Sequence, residues 1–181
     1  MMTSDGPMQA MDSGGDARDA KTELDAPPDT PEMDGSDSGG GCNNDTCSSA
    51  LVLVSNMQQS CTTAGETDDY DFGNQTSNEC VNDVGSTTFD GADVAFKIDV
   101  PSGQKLSVTV TPTSQWDPAI GIVTACGMSG ASCVGAADGD GTGQPETASY
   151  TNKSNSTVPV YIIVDSTQGD EGPFDIVANL Q

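Results

Sequence analysis

The chain has 181 residues, 34% of them hydrophobic, which suits one domain of ordinary size with an extension rather than two domains. Its 28 acidic against 5 basic residues give a net charge of -23, which repels nucleic-acid phosphates and anionic lipid headgroups and sets nucleic acid aside as a partner. Six cysteines, no histidine, scarce lysine and abundant Ser, Thr, Gly and Asn point to an extracellular protein in which disulfides compensate for a modest core.

Residues 1 to 41 carry ten carboxylates, Arg18 and Lys21, several prolines and no aromatic residue. Such a segment cannot bury enough apolar surface to offset an ordering cost of roughly 1 kcal/mol per residue, so it reads as a disordered acidic tether. Like charges extend it, and Pro27, Pro28 and Pro31 stiffen its middle. The first residues, MMTSDGPMQAMDSGG, show no basic segment followed by an apolar core. Set against the extracellular composition, this leads to the expectation of an export signal missing from this version of the chain, with a lipid anchor as the one route to a membrane.

The stretch GGGCNNDTCSSALVLV marks the start of the folded domain, residues 42 to 181. Beyond it the pattern is strand, turn, strand. In ADVAFKIDVP, Val94, Phe96, Ile98 and Val100 alternate with Ala95, Lys97 and Asp99, as in a half-buried strand. KLSVTVTP repeats this with Leu106, Val108 and Val110 inward and Ser107, Thr109 and Thr111 outward. Pro101, Ser102 and Gly103 between them read as a short hairpin turn. Further strands are predicted over residues 50–54, 70–72, 119–124, 147–151, 158–165 and 174–179. Val160, Ile162 and Val164 form one core row, with Phe174 and Ile176 facing the same interior. Trp116 reads as a lid over one end of the core, with a binding-surface aromatic as the alternative. Many short strands between Gly, Asp, Asn and Ser turns predict an antiparallel, jelly-roll-like β-sandwich of about eight strands.

All six cysteines read as paired. Their intervals of 4, 13, 18, 45 and 6 residues contain no CxxC, and without histidine a zinc site lacks its usual ligand pattern. Cys126 and Cys133 in CGMSGASC most simply staple their own loop, although six cysteines allow fifteen pairings.

NDTC, then a cysteine ahead of FDGADVAFKIDVPSGQKLSVTVTP, then WDPAIGIVTACGMSGASCVGAADGDGTGQPETASY, and last VPVYIIVDSTQGDEGPFDIVANL, together resemble the bacterial pre-peptidase C-terminal domain family. The resemblance spans residues 43 to 181. GADVAFKIDVP looks like the family's aromatic signature strand, and VYIIVD with GPFDIVANL looks like its closing hairpin. The resemblance implies a non-catalytic sandwich found on secreted and surface proteins, some members binding calcium and a matrix partner. It also implies the pairings Cys47 with Cys80 and Cys42 with Cys61, the former worth roughly 3 to 4 kcal/mol in the chain-entropy account. This chain departs from the usual context in having no peptidase domain.

By the same resemblance, Asn44 and Asp45 match an Asn-Asp pair that joins two aspartates, here Asp90 and Asp93, around calcium. A hard cation wants six to eight oxygens, and this chain has Gly40 and Cys42 where calcium-binding relatives carry glutamates. The competing reading is that Asp45 caps a turn and Asp93 satisfies backbone amides. AADGDGTGQPE, with Asp138, Asp140 and Glu146, lacks the third oxygen position of an EF-hand loop and reads as solvated.

Catalysis has little to build on. No histidine can activate a nucleophile, and Lys97, Lys105 and Lys153 sit in no recognisable motif. Four N-x-S/T sequons, at Asn44, Asn74, Asn152 and Asn155, read as loop composition. The expected protein is therefore a secreted or surface-tethered monomeric binding module for a polysaccharide or an extracellular protein, stabilised by calcium. A ligand-free envelope spacer is the alternative, and an enzyme or hydrolase accessory a distant third.

Overall fold

Nine strands are found in a computed structural model that describes residues 42–70, 80, 89–126, 132–166 and 169–181. They are β1 (Leu51–Val52), β2 (Gln58–Thr62), β3 (Val94–Val100), β4 (Lys105–Pro112), β5 (Pro118–Val123), β6 (Cys133–Ala137), β7 (Glu146–Thr151), β8 (Val158–Ser166) and β9 (Pro173–Leu180). The predicted tether, residues 1–41, lies outside the described residues, as does most of the strand expected at 70–72. Among the described residues no helix is long and apolar enough to cross a membrane.

The strands form a β-sandwich. One sheet has the order β1-β3-β8-β5-β6 and the other β2-β9-β4-β7, antiparallel throughout except for the short parallel pair β1 and β3. The alternation read in the sequence sets the faces. Val94, Phe96 and Val100 on β3, Leu106, Val108 and Val110 on β4, and Val160, Ile162 and Val164 on β8 all lose essentially all solvent contact between the sheets. Phe174 bridges the two layers, edge-on to Phe96 at 6.2 Å between ring centroids and tilted against Trp116 at 6.0 Å. Trp116 closes one end of this core, buried, with its indole N–H donating to the Pro173 carbonyl at 3.0 Å.

Two expected hairpins are instead crossings between sheets. β3 pairs with β8, whereas β4 pairs with β7 and β9, so the turn at Pro101 carries the chain from one sheet to the other. The turn chemistry is as read, since Gln104 N–H donates to the Pro101 carbonyl and Gly103 takes a φ of 77°. What sequence could not tell is the direction of exit. Likewise β8 and β9, the supposed closing hairpin, lie in different sheets, although Phe174 and Ile176 do face the shared interior.

A second apolar layer lies on the outer face of the five-stranded sheet. Ala95, Ala119 and Ile163, which alternate with the inward-facing residues of β3, β5 and β8, pack there with Cys80, Phe89, Cys133 and Ala136. This is why β5, PAIGIV, is buried along its whole length.

Two disulfides fasten this outer layer, and both correct the predicted pairing. Cys42–Cys61 forms as expected, but Cys47 joins Cys126 and Cys80 joins Cys133, with Cα separations of 5.9 and 5.8 Å. The β5–β6 register explains why Cys126 and Cys133 do not pair. A bulge sets Cys133 opposite Val123, leaving Cys126 beyond the paired residues, while Cys133 points into the buried outer layer that holds Cys80. Three disulfides place the chain in an oxidising environment.

Candidate functional site

Asn44, Asp45 and Asp93 meet at one corner of the five-stranded sheet, joined by residues 66–70 of the connection between β2 and β3. Asn44 is fully buried and runs alongside β3: its carbonyl accepts from Ala95 N–H at 2.8 Å and its side-chain amide donates to the Ala95 carbonyl at 2.8 Å. This holds Asp45 over Thr67. The Asp45 carboxylate accepts from Thr67 N–H at 2.7 Å and lies within 3.0 Å of the Thr67 hydroxyl, which also lies 2.7 Å from an Asp69 oxygen. A hydroxyl has one hydrogen, so it cannot satisfy both carboxylates at once.

Asp93 completes the corner from the start of β3. Its Oδ2 accepts from the backbone N–H groups of Asp69 and Tyr70, at 2.9 and 2.7 Å, and its own N–H donates to the Thr67 carbonyl. The other oxygen, Oδ1, is buried with no hydrogen-bond partner. Burial raises the Asp93 pKa from the ordinary 3.8 to about 7; the two amide donors pull it down, and the charges of Asp69 and Asp68 push it up further. Glu66 is raised too, by burial first and by Asp45 second.

The expected calcium set is thus only partly assembled. Asp90 is exposed, with its backbone carbonyl against Gly169 in the turn before β9. Among the described residues no three carboxylates converge as a preformed metal cage. Both carboxylates accept from backbone amides, as the competing reading held for Asp93, but the donors Thr67, Asp69 and Tyr70 belong to the distant β2–β3 connection and not to a local turn. A cation fits the remaining features, namely a buried oxygen without a donor and two carboxylates sharing one hydroxyl. Thr67, Asp69 and Tyr70, which organise the corner, were not singled out in the sequence; the acidic run GETDDYD between two cysteines was the available signal.

The loop AADGDGTGQPE is not merely solvated. Glu146, at the head of β7, is 2% exposed and its Oε1 accepts from Gly139 and Asp140 N–H groups at 2.9 and 2.7 Å, clasping the loop. Two sequons are closed to a glycan, because the side chains of Asn44 and Asn152 are fully buried, while Asn155 is exposed.

A different surface is open and apolar. Val52, Val54 and Met57 are 73%, 57% and 55% exposed beside a groove of about 360 Å³ floored by Leu53, Ile98 and Leu180. Lys97 and Asp99 flank the groove, and the Lys97 ammonium sits 5.8 Å from the centre of the Tyr161 ring on the neighbouring strand.

No protein-family model matches the chain, and no curated protein matches it.

Proposed function

We propose that this chain is a non-catalytic, exported binding module of the pre-peptidase C-terminal type, which recognises an extracellular protein through the apolar groove beside β1. The observation that carries this reading is the exposed strip Val52, Val54 and Met57 on a chain otherwise dense in charge and hydroxyls. Apolar surface gathered in one place favours association, whereas single exposed aliphatic residues would not. The strip also favours a protein over a polysaccharide. Sugars are gripped by exposed aromatic faces, and the one tryptophan here is buried in the core. Export, through a leader or lipid anchor, agrees with the three disulfides.

The test is retention of a panel of extracellular matrix proteins and insoluble glycans on the immobilised chain, compared with the Val52→Asp, Val54→Asp double variant. A protein held by the parent chain and lost by the variant, with unchanged circular dichroism, supports the reading. Equal retention by both, or retention of glycans alone, refutes it; an empty panel leaves the ligand-free spacer as the better account.

Calcium at the Asp93 corner is the accompanying proposal, with Asp93 and Asp45 as its protein ligands and structural stabilisation as its contribution. Millimolar calcium is expected to raise the unfolding temperature of the parent chain and not of Asp93→Ala or Asp93→Asn. Equal shifts in all three, or none, would remove calcium from this corner.

A further inference from the structure

We propose that Asp117–Pro118 is a self-cleavage site, broken by the chain's own side chain under mildly acidic conditions to leave two halves joined by disulfides. It is the only Asp–Pro bond in the sequence. Such a bond pairs a carboxyl group, separated from the scissile carbonyl by the α-carbon and one methylene, with a tertiary amide whose nitrogen carries no hydrogen and accepts a proton more readily than an ordinary peptide nitrogen.

The fold prepares this bond in three ways. First, the Asp117 Oδ1 atom is buried and has no hydrogen-bond partner, so its attack on the backbone carbonyl breaks no hydrogen bond that it makes in the folded chain. Second, the ends of the bond are fixed. Trp116 on one side is buried, with its carbonyl accepting from Gly143 N–H at 2.8 Å, and Pro118 on the other side begins β5, in register with Ser166 of β8. Third, the surroundings are acidic. Burial, and then the charge of Asp170 from the turn before β9, raise the Asp117 pKa; burial, Asp117 and Glu146 raise Asp138, in the loop after β6, to about 6. Carboxyls that keep their proton in mild acid supply the acid the leaving nitrogen needs.

The reaction balances with one water. A carboxyl oxygen of Asp117 bonds to the Asp117 carbonyl carbon, its proton passes to the Pro118 nitrogen, and the C–N bond breaks with its electron pair remaining on nitrogen. The products are a five-membered cyclic anhydride at Asp117 and a secondary amine at Pro118. Water then opens the anhydride to the α-carboxyl and side-chain carboxyl groups. Because attack is intramolecular, no external nucleophile has to be ordered.

The disulfides decide the fate of the two halves. Cys47–Cys126 and Cys80–Cys133 each have one cysteine before the cut and one after it. The nicked chain therefore stays a single covalent particle while gaining a new amino terminus at the head of a central strand.

The experiment incubates the full, disulfide-intact chain at about pH 5 and about pH 8, brackets chosen around a perturbed carboxyl. Intact mass and electrophoresis are then read with and without reductant. The expected result is a non-reduced species heavier by one water, which on reduction yields fragments 1–117 and 118–181. The rate should be about tenfold higher at the acidic pH, and about tenfold higher folded than in urea at that pH. Asp117→Ala should abolish cleavage, and Asp117→Glu, which keeps the charge but enlarges the ring, should slow it about tenfold. Asp170→Asn should move the pH midpoint downward. No fragment pair, equal rates in folded and unfolded chains, or unchanged cleavage in either Asp117 variant would overturn the proposal.

Discussion

Replacing Asn152 by alanine tests whether one buried amide ties the ends of both sheets together. Asn152 follows β7 and is fully buried. Its side-chain amide donates to the carbonyls of Val100, at the end of β3, and Ser156, both at 2.8 Å, and its Oδ1 accepts from Ser154 N–H at 3.0 Å. Alanine keeps the backbone bonds to Gly103 and Gln104 and removes all three side-chain bonds. Val100 is completely buried, so its orphaned carbonyl costs about 1 to 3 kcal/mol; Ser154 and Ser156 are exposed and recover water, adding roughly 1 kcal/mol together. The sum is about 2 to 4 kcal/mol, a large share of the 5 to 15 kcal/mol of stability that is usual for a domain. Asn152→Asp should be worse at neutral pH, because a carboxylate oxygen then faces carbonyl oxygens. Those neighbours raise the folded pKa of the introduced acid, so its stability is retained in acid and lost as pH rises through that value. Urea unfolding followed by the fluorescence of Trp116, the only tryptophan, reads all of this at neutral and acidic pH. A loss below about 1 kcal/mol for the alanine variant, or an aspartate variant more stable than it at neutral pH, would refute the reasoning.

Three further outcomes are expected. Asp93 has a folded pKa of about 7 against 3.8, so its contribution to stability is fully present below the unfolded value and is lost as pH rises through about 7. In the absence of calcium, Asp93→Asn should therefore be more stable than the parent at pH 8 by roughly 2 to 4 kcal/mol, and should match it in acid; a destabilised variant at pH 8 would reverse the argument. Non-reducing peptide maps should recover Cys47 with Cys126 and Cys80 with Cys133, and the double variant Cys80→Ala, Cys133→Ala should lose about 4 kcal/mol in urea for a span of 53 residues. Recovery of a peptide linking Cys126 to Cys133 would restore the local staple. Phe174→Ala should cost about 3 to 5 kcal/mol and shift Trp116 emission to the red, since the ring sits between Phe96 and Trp116; unchanged emission would mean Trp116 is held without it.

The strands that were legible in the sequence are those with an unbroken apolar row. β3, β4 and β8 carry branched residues at every second position, and each turned its row inward. β2 and β6 escaped because QQSCT and CVGAA carry no such row: β2 buries only Cys61, and β6 packs small residues on a second layer. That second layer also defeated the cysteine assignment, because proximity along the chain favours a local loop, while Cys133 lies opposite Val123 and faces the buried layer that holds Cys80. At the candidate corner, Asn44, Asp45 and Asp93 were grouped through the family resemblance alone, because nothing in their spacing along the chain brings residues 44 and 45 to residue 93. Thr67 and Tyr70 were not, since their roles rest on backbone N–H and hydroxyl contacts that composition does not report.

The stapled outer layer has a consequence for what can be built on this protein. With one face of the five-stranded sheet in the core and part of the other under that layer, a broad face in contact with solvent among the described residues is the outer side of β2, β9, β4 and β7. It displays Ser107, Thr109 and Thr111 beside Thr147 and Ser149, short side chains in fixed register with no part in the core. These positions form a natural display platform: a randomised library confined to them would diversify recognition while leaving the three cross-links and both apolar layers untouched.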